Sequence, residues 1–125
     1  MSKLILIRGL PGSGKSTMAR SLMTPNTRHY EADMYFEQDG EYRFDPKKIK
    51  DAHAWCQRKT RIALEAGLDV IVSNTFTQRW EMKPYLDMAS DIGAKVEVIT
   101  AKGDYKNIHN VPPEAIQRMR DRWEP

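Results

Sequence analysis

The chain has 125 residues, with 20 Lys and Arg against 17 Asp and Glu, a formal charge of +3, and 40% hydrophobic residues. That length suits a single domain spanning 1–125 with a modest core, and it excludes a large multi-domain machine. No apolar run approaches the ~20 residues that cross a bilayer, and one cysteine, Cys56, rules out an internal disulfide framework. The expected setting is therefore reducing and cytoplasmic, away from a membrane. The Leu4-Ile5-Leu6-Ile7 run is too short for the apolar core of a signal peptide.

The charge is unevenly spread. Residues 1–30 hold five bases (Lys3, Arg8, Lys15, Arg20, Arg28) and no acid. Residues 31–45 hold six acids against Arg43, and residues 47–61 reverse the balance with six bases against Asp51. Charge blocks of this size often belong to solvated faces. The acid-free start stands apart because it surrounds the strongest motif in the chain.

In chain order, Lys3 to Arg8 reads as a short buried strand, and Gly9 to Gly14 as a glycine-rich turn. Ser16 to Met23 has helical character, and Arg28 to Glu31 reads as a second short strand. Gln38-Asp39-Gly40-Glu41 carries an Asp-Gly turn signal. Asp45-Pro46 opens the longest helix, which is expected to run to Ala66 and stop at Gly67. Asp69 to Ser73 is a β-branched strand, and Gln78 to Ile92 is helical with its main part starting near Pro84. Lys95 to Thr100 is a fourth strand, and Pro113 starts a last helix reaching about Trp123. Such alternation implies right-handed crossovers and a parallel sheet covered on both faces, an α/β fold.

Gly9-Leu10-Pro11-Gly12-Ser13-Gly14-Lys15-Ser16 fits G-x-x-x-x-G-K-[ST], extended by Thr17. The glycines let successive backbone N–H groups turn toward phosphates, and the helix that follows adds its positive dipole end. Lys15 supplies a mobile cation to the β- and γ-oxygens, and the Ser16 hydroxyl is a ligand for Mg²⁺. The motif lies between a buried strand and a helix, the context that supports a nucleoside triphosphate site, with ATP and Mg²⁺ as cofactors.

No Asn-Lys-x-Asp guanine-reading motif occurs, and no apolar strand ends in Asp. Val70-Ile71-Val72 runs into Ser73-Asn74, while Asp69 lies at the wrong end. A hydrolytic motor needs a carboxylate at that strand end to hold Mg²⁺, so its absence favours a kinase. Asp33 follows the second strand, where strand ends face the same crevice as the phosphate loop. It is either the group that takes the proton of an acceptor hydroxyl or the cap of a helix over Met34-Tyr35-Phe36.

The phosphate loop, Asp33-Met34-Tyr35, and Val70-Ile71-Val72-Ser73-Asn74-Thr75 together resemble the kinase domain of phage polynucleotide 5′-hydroxyl kinase and its small P-loop relatives. Asp39 to Pro46, Ala52-His53-Ala54-Trp55, Trp80 to Tyr85, Asn107 to Pro112 and Met119 look like a cellular and phage subgroup of them. The resemblance implies a three-layer P-loop fold, a sheet of about four strands in the order 2-3-1-4, and Asp33 as general base. It also implies a lid over about 101–112. Tyr35, Phe36, Trp55, Phe76 and Trp80 fall in expected crevice segments, where they either stack an acceptor base or pack in the core. Arg79 either contacts an acceptor phosphate or caps a surface helix, and Asn74 and Thr75, after the third strand, are further acceptor candidates. The chain departs from the pattern at Met34, Phe36 and Ser73, and its lid carries Lys102, Lys106 and His109 in place of arginines. Arg118 and Arg122, on the last helix, either reach the nucleotide or line a solvated face.

The leading expectation is an ATP- and Mg²⁺-dependent kinase acting on a hydroxyl of a nucleic acid or nucleotide. The acceptor is a polynucleotide 5′-hydroxyl or a hydroxymethylpyrimidine in DNA. The alternatives are a nucleotide-binding regulatory module without transfer activity and a nucleoside or small-metabolite kinase.

Overall fold

Four parallel strands carry the structure: β1 (Lys3–Arg8), β2 (Thr27–Tyr30), β3 (Asp69–Asn74) and β4 (Lys95–Thr100), in the order β2-β3-β1-β4. A computed structural model describes residues 2–37, 40–103 and 111–125. Helices α1 (Lys15–Ser21), α2 (Ile49–Glu65), α3 (Lys83–Ile92) and α4 (Pro113–Asp121) connect or follow the strands. The sheet has the expected order, and its strand boundaries agree with the sequence to within a residue.

Alternation along the strands divides the core into two layers. Leu4, Leu6, Val70 and Val72 point toward α2 and α3, where they pack with Cys56, Leu64, Tyr85 and Met88. Ile7 and Ile71 point the other way and meet Ala19 of α1, with Ile5 and Ile99 alongside. Each buried aliphatic side chain of this kind contributes roughly 1.5–3 kcal/mol. The interior strands β1 and β3 therefore read as continuous apolar runs, as strands buried on both faces must.

Three segments differ from the sequence expectation. The helix opened by Asp45 begins as a 3₁₀ turn over Pro46–Lys48, with the Asp45 carboxylate accepting from the Lys47 N–H at 3.0 Å; α2 proper starts at Ile49. A second 3₁₀ turn, Arg79–Met82, precedes α3, because Pro84 fits only the first turn of a helix. The edge strand β4 is not covered on both faces: Val96 and Val98 are 39% and 45% exposed, so one side of that edge lies open among the described residues.

Candidate phosphate-binding site

The phosphate loop sits at the carboxyl edge of the sheet, between the end of β1 and α1. Gly12 and Gly14 adopt positive φ, 83° and 91°, which residues with a Cβ rarely tolerate. Gly9 is needed for a different reason. A Cβ there would stand 2.3 Å from Ser13 Oγ and 2.8 Å from the carbonyl oxygen of Ala101. Gly9 N–H is held by the Thr75 carbonyl at 3.2 Å, and Gly103 N–H donates to the Ser13 carbonyl at 2.9 Å. The loop is thus clamped from the ends of β3 and β4. Ser13 Oγ is buried with no hydrogen-bond partner among the described residues, which fits a cradle awaiting an acceptor-rich group.

Lys15 Nζ donates to the carbonyls of Gly9 and Leu10 at 2.9 and 3.0 Å, which leaves one of its three donors. Burial lowers its pKa below the ordinary lysine value, while Glu31 and Asp33 raise it in opposition. Both carboxylates therefore act on the cation of the loop. Glu31, absent from the sequence-derived candidates, is the best-connected of the two. Its Oε2 accepts from Ser16 Oγ at 2.5 Å and from Ser73 Oγ at 2.8 Å, and Ser73 Oγ lies 2.6 Å from His29 Nε2. Burial pushes His29 below its ordinary value.

Asp33 is the second residue of a 3₁₀ turn, Ala32–Glu37, so it lies within the turn rather than ahead of it as a cap. Tyr42 Oη donates to Asp33 Oδ1 at 3.4 Å, and burial, reinforced by Asp33, pushes the Tyr42 phenol up to about 12. Asn74 positions this turn. Its Oδ1 accepts from Ala32 N–H at 2.9 Å, and its Nδ2 lies 3.9 Å from Cys56 Sγ. The buried Asn74 amide thus faces inward, holding the residue next to Asp33. Thr75 meets the phosphate loop through its carbonyl.

Farther along the same turn, a cavity of about 570 Å³ is lined by Tyr35, Phe36, Glu41, Arg43, Phe44, Asp45 and Lys48, with Arg43 paired to Glu41 at 2.7 Å. Its wall is an edge-to-face aromatic stack, with Phe36 at 5.5 Å from Tyr35 and 5.2 Å from Phe44. Of these, Tyr35 and Phe36 are among the acceptor candidates of the sequence, and Phe36 is buried. Trp80 is 68% exposed, with its indole N–H donated to Gln78 Oε1 at 2.7 Å. Arg79 Nε donates to the Pro125 carbonyl at 2.7 Å.

Arg8 departs from the picture of a basic start wrapped around phosphates. It is buried, and its guanidinium donates to the carbonyls of Phe76 (2.7 Å) and Glu124 (2.5 Å), with the Trp123 ring 4.3 Å away. It fastens the segment after α4 to the loop after β3. Arg122 Nε joins the same junction through Thr77 Oγ1 at 3.2 Å, and Arg118 is exposed on α4. Lys102 is exposed between Ala101 and Gly103, both of which hydrogen-bond to the phosphate-loop region. Lys106, His109 and most of the expected lid lie outside the described residues.

Residues 4–108 match a family described as AAA domain. The chain belongs to that AAA domain family. It is 37% identical to human NEDD4-binding protein 2 over 97% of its own length, but spans only 8% of that protein. It is 25% identical to an uncharacterised protein of Pasteurella multocida, covering 95% of this chain and 75% of that one. Among solved structures, the Pnkp1/Rnl/Hen1 complex aligns with a TM-score of 0.65 at 21% identity, over 94% of this chain and 38% of the other. The APS kinase CysC of Mycobacterium tuberculosis aligns at 0.63 and 18% identity, over 97% and 96%. A gluconokinase of Sinorhizobium meliloti aligns at 0.67 and 14% identity, over 98% and 75%. The AAA domain chain has a P-loop kinase-like fold.

Proposed function

We propose that the chain is an ATP- and Mg²⁺-dependent kinase that transfers the γ-phosphoryl group to a hydroxyl of a nucleic acid or nucleotide. The observation that carries the reading is the placement of the Lys15 loop and the Asp33 turn at one carboxyl edge, close enough for the Asp33 carboxylate to act on the Lys15 cation. Phosphoryl transfer demands such an arrangement, since catalysis is mostly positioning and charge stabilisation.

ATP supplies the phosphoryl group, and Mg²⁺ neutralises charge on its β- and γ-oxygens. The residues fit both: the loop offers glycines in left-handed turns and a buried unpartnered hydroxyl, and Ser16 offers a hard oxygen of the kind Mg²⁺ prefers. Leu10, Pro11, Gly12, Ser13, Gly14, Lys15, Ser16 and Thr17 would hold the triphosphate, with Lys15 at the transferring group. Asp33 would orient the acceptor hydroxyl and take its proton. Lys102, between two residues whose backbones bond to the loop region, would add positive charge from the β4 side.

A nucleic-acid acceptor is supported by Phe44, half exposed at the cavity, since bases stack on such rings for roughly 1–3 kcal/mol each. The likeness to the Pnkp1/Rnl/Hen1 RNA repair complex points the same way. The cavity's volume of about 570 Å³ also suits a free nucleoside, which keeps a small-molecule acceptor as the second reading. An acceptor panel decides: γ-labelled ATP with 5′-hydroxyl DNA, 5′-hydroxyl RNA, hydroxymethylpyrimidine DNA and free nucleosides. Label transferred to an oligonucleotide supports the reading, and label in nucleosides alone favours the second. ATP binding without transfer to any of them would leave a regulatory module.

A further inference from the structure

The sequence lacks a carboxylate at the end of β3, where Ser73 and Asn74 stand. The sheet supplies one from the neighbouring strand. β2 and β3 pair in parallel with His29 opposite Ile71 and Tyr30 opposite Val72, so the next residues, Glu31 and Ser73, lie side by side. Side chains alternate along strands, and Ile71 faces α1. Ser73 and Glu31 therefore share the face of the sheet on which α1, and with it Ser16, is packed. We propose that Glu31 is the carboxylate that completes the Mg²⁺ site beside Ser16, a proposal that rests on the nucleotide-site reading above.

The proton positions support this. Ser16 and Ser73 each have one hydroxyl proton, and both donate it to Glu31 Oε2. Ser73 oxygen is then free to accept from His29 Nε2–H at 2.6 Å, which fixes that tautomer. With its proton turned to Glu31, Ser16 presents its lone pairs outward, the orientation a cation ligand requires. A carboxylate behind the ligand makes the hydroxyl a stronger donor of electron density, and it places a full negative charge next to the dication. Ser73, at the position where a β3 carboxylate would stand, here orients Glu31.

Outer partners of this kind are worth about 10–100-fold in metal affinity. The test is binding of a fluorescent ATP analogue, first in EDTA and then across a Mg²⁺ titration. Glu31→Gln is expected to raise the Mg²⁺ concentration needed for half-maximal tightening about 10–100-fold. Affinity in EDTA should stay the same or improve, because a negative charge near the triphosphate has been removed. The paired variant Glu31→Ser/Ser73→Asp, which moves the carboxylate to β3, should restore the Mg²⁺ requirement to within a few-fold of the parent. Mn²⁺ bound to the protein–nucleotide complex, counted by electron paramagnetic resonance, should follow the same order.

An unchanged Mg²⁺ requirement in Glu31→Gln overturns the proposal. So does loss of affinity in EDTA as well, which would mark Glu31 as structural, or a paired variant no better than the single one. A parent protein that binds no nucleotide under either condition overturns the nucleotide-site reading itself, a result distinct from all of these.

Discussion

Replacing Arg8 with Met removes a buried cation and leaves its carbonyl partners behind. Arg8 Nε and Nη2 both donate to the Phe76 carbonyl, at 3.1 and 2.7 Å, and Nη2 also reaches Glu124. Phe76 is 2% exposed and takes a left-handed φ of 45°, so this corner has few ways to relax. An orphaned buried acceptor costs about 1–3 kcal/mol, and loss of a cation over the Trp123 ring about 0.5–2 kcal/mol. Met recovers part of this by avoiding the desolvation of a guanidinium. The expected net loss is about 3 kcal/mol. With about 2.1 cal/mol/K of unfolding entropy per residue, that corresponds to about 11 °C in Tm for a chain of this size. Calorimetry of Arg8→Met reads the shift directly, and tryptophan emission should move red as Trp123 loses its lid. A drop of less than 3 °C with unchanged emission would refute the view that Arg8 fastens the C-terminal segment.

The phosphate loop offers a steric test. In Gly9→Ala the new methyl meets the Ala101 carbonyl, which is itself anchored through Ala101 N–H to Arg8 O at 2.8 Å, so the loop must shift. Overpacking of this kind costs about 1–3 kcal/mol, and ATP affinity measured by calorimetry should fall with Tm. Lys15→Ala should weaken ATP binding and turnover together, and normal turnover in a steady-state assay would remove Lys15 from the site. Cys56 is fully buried, and burial pushes its thiol up, so the folded protein should resist a thiol reagent such as DTNB. One thiol per chain should appear only on denaturation, and rapid native labelling would show that α2 opens.

Much of the fold was legible because its signals are local. Short apolar runs, Gly9 to Gly14, Asp45-Pro46 and Gly67 mark strand, turn, start and stop within a few residues of chain. The Lys15 motif carries its own context. The missing parts depend on contacts between distant residues. Glu31 meets Ser73 only once β2 and β3 are in register, 42 residues apart in sequence. Arg8 reads as one more base near a phosphate loop until its side chain is seen among carbonyls 68 and 116 residues away. The same holds for Asn74, whose amide oxygen accepts from the Ala32 N–H across 42 residues of sequence. Phe44 and Arg43 sit in a segment without periodic pattern, and only the folding of residues 40–48 against the Ala32–Glu37 turn makes them a cavity wall.

The role of Asp33 is the centre of the kinase reading, and single-turnover transfer isolates it. With γ-labelled ATP bound in excess of its dissociation constant, Asp33→Asn should lose about 10²–10⁴-fold in the rate of label transfer to the acceptor hydroxyl. Its affinity for ATP should stay within a few-fold of the parent. Transfer at the parental rate by Asp33→Asn would contradict the assignment.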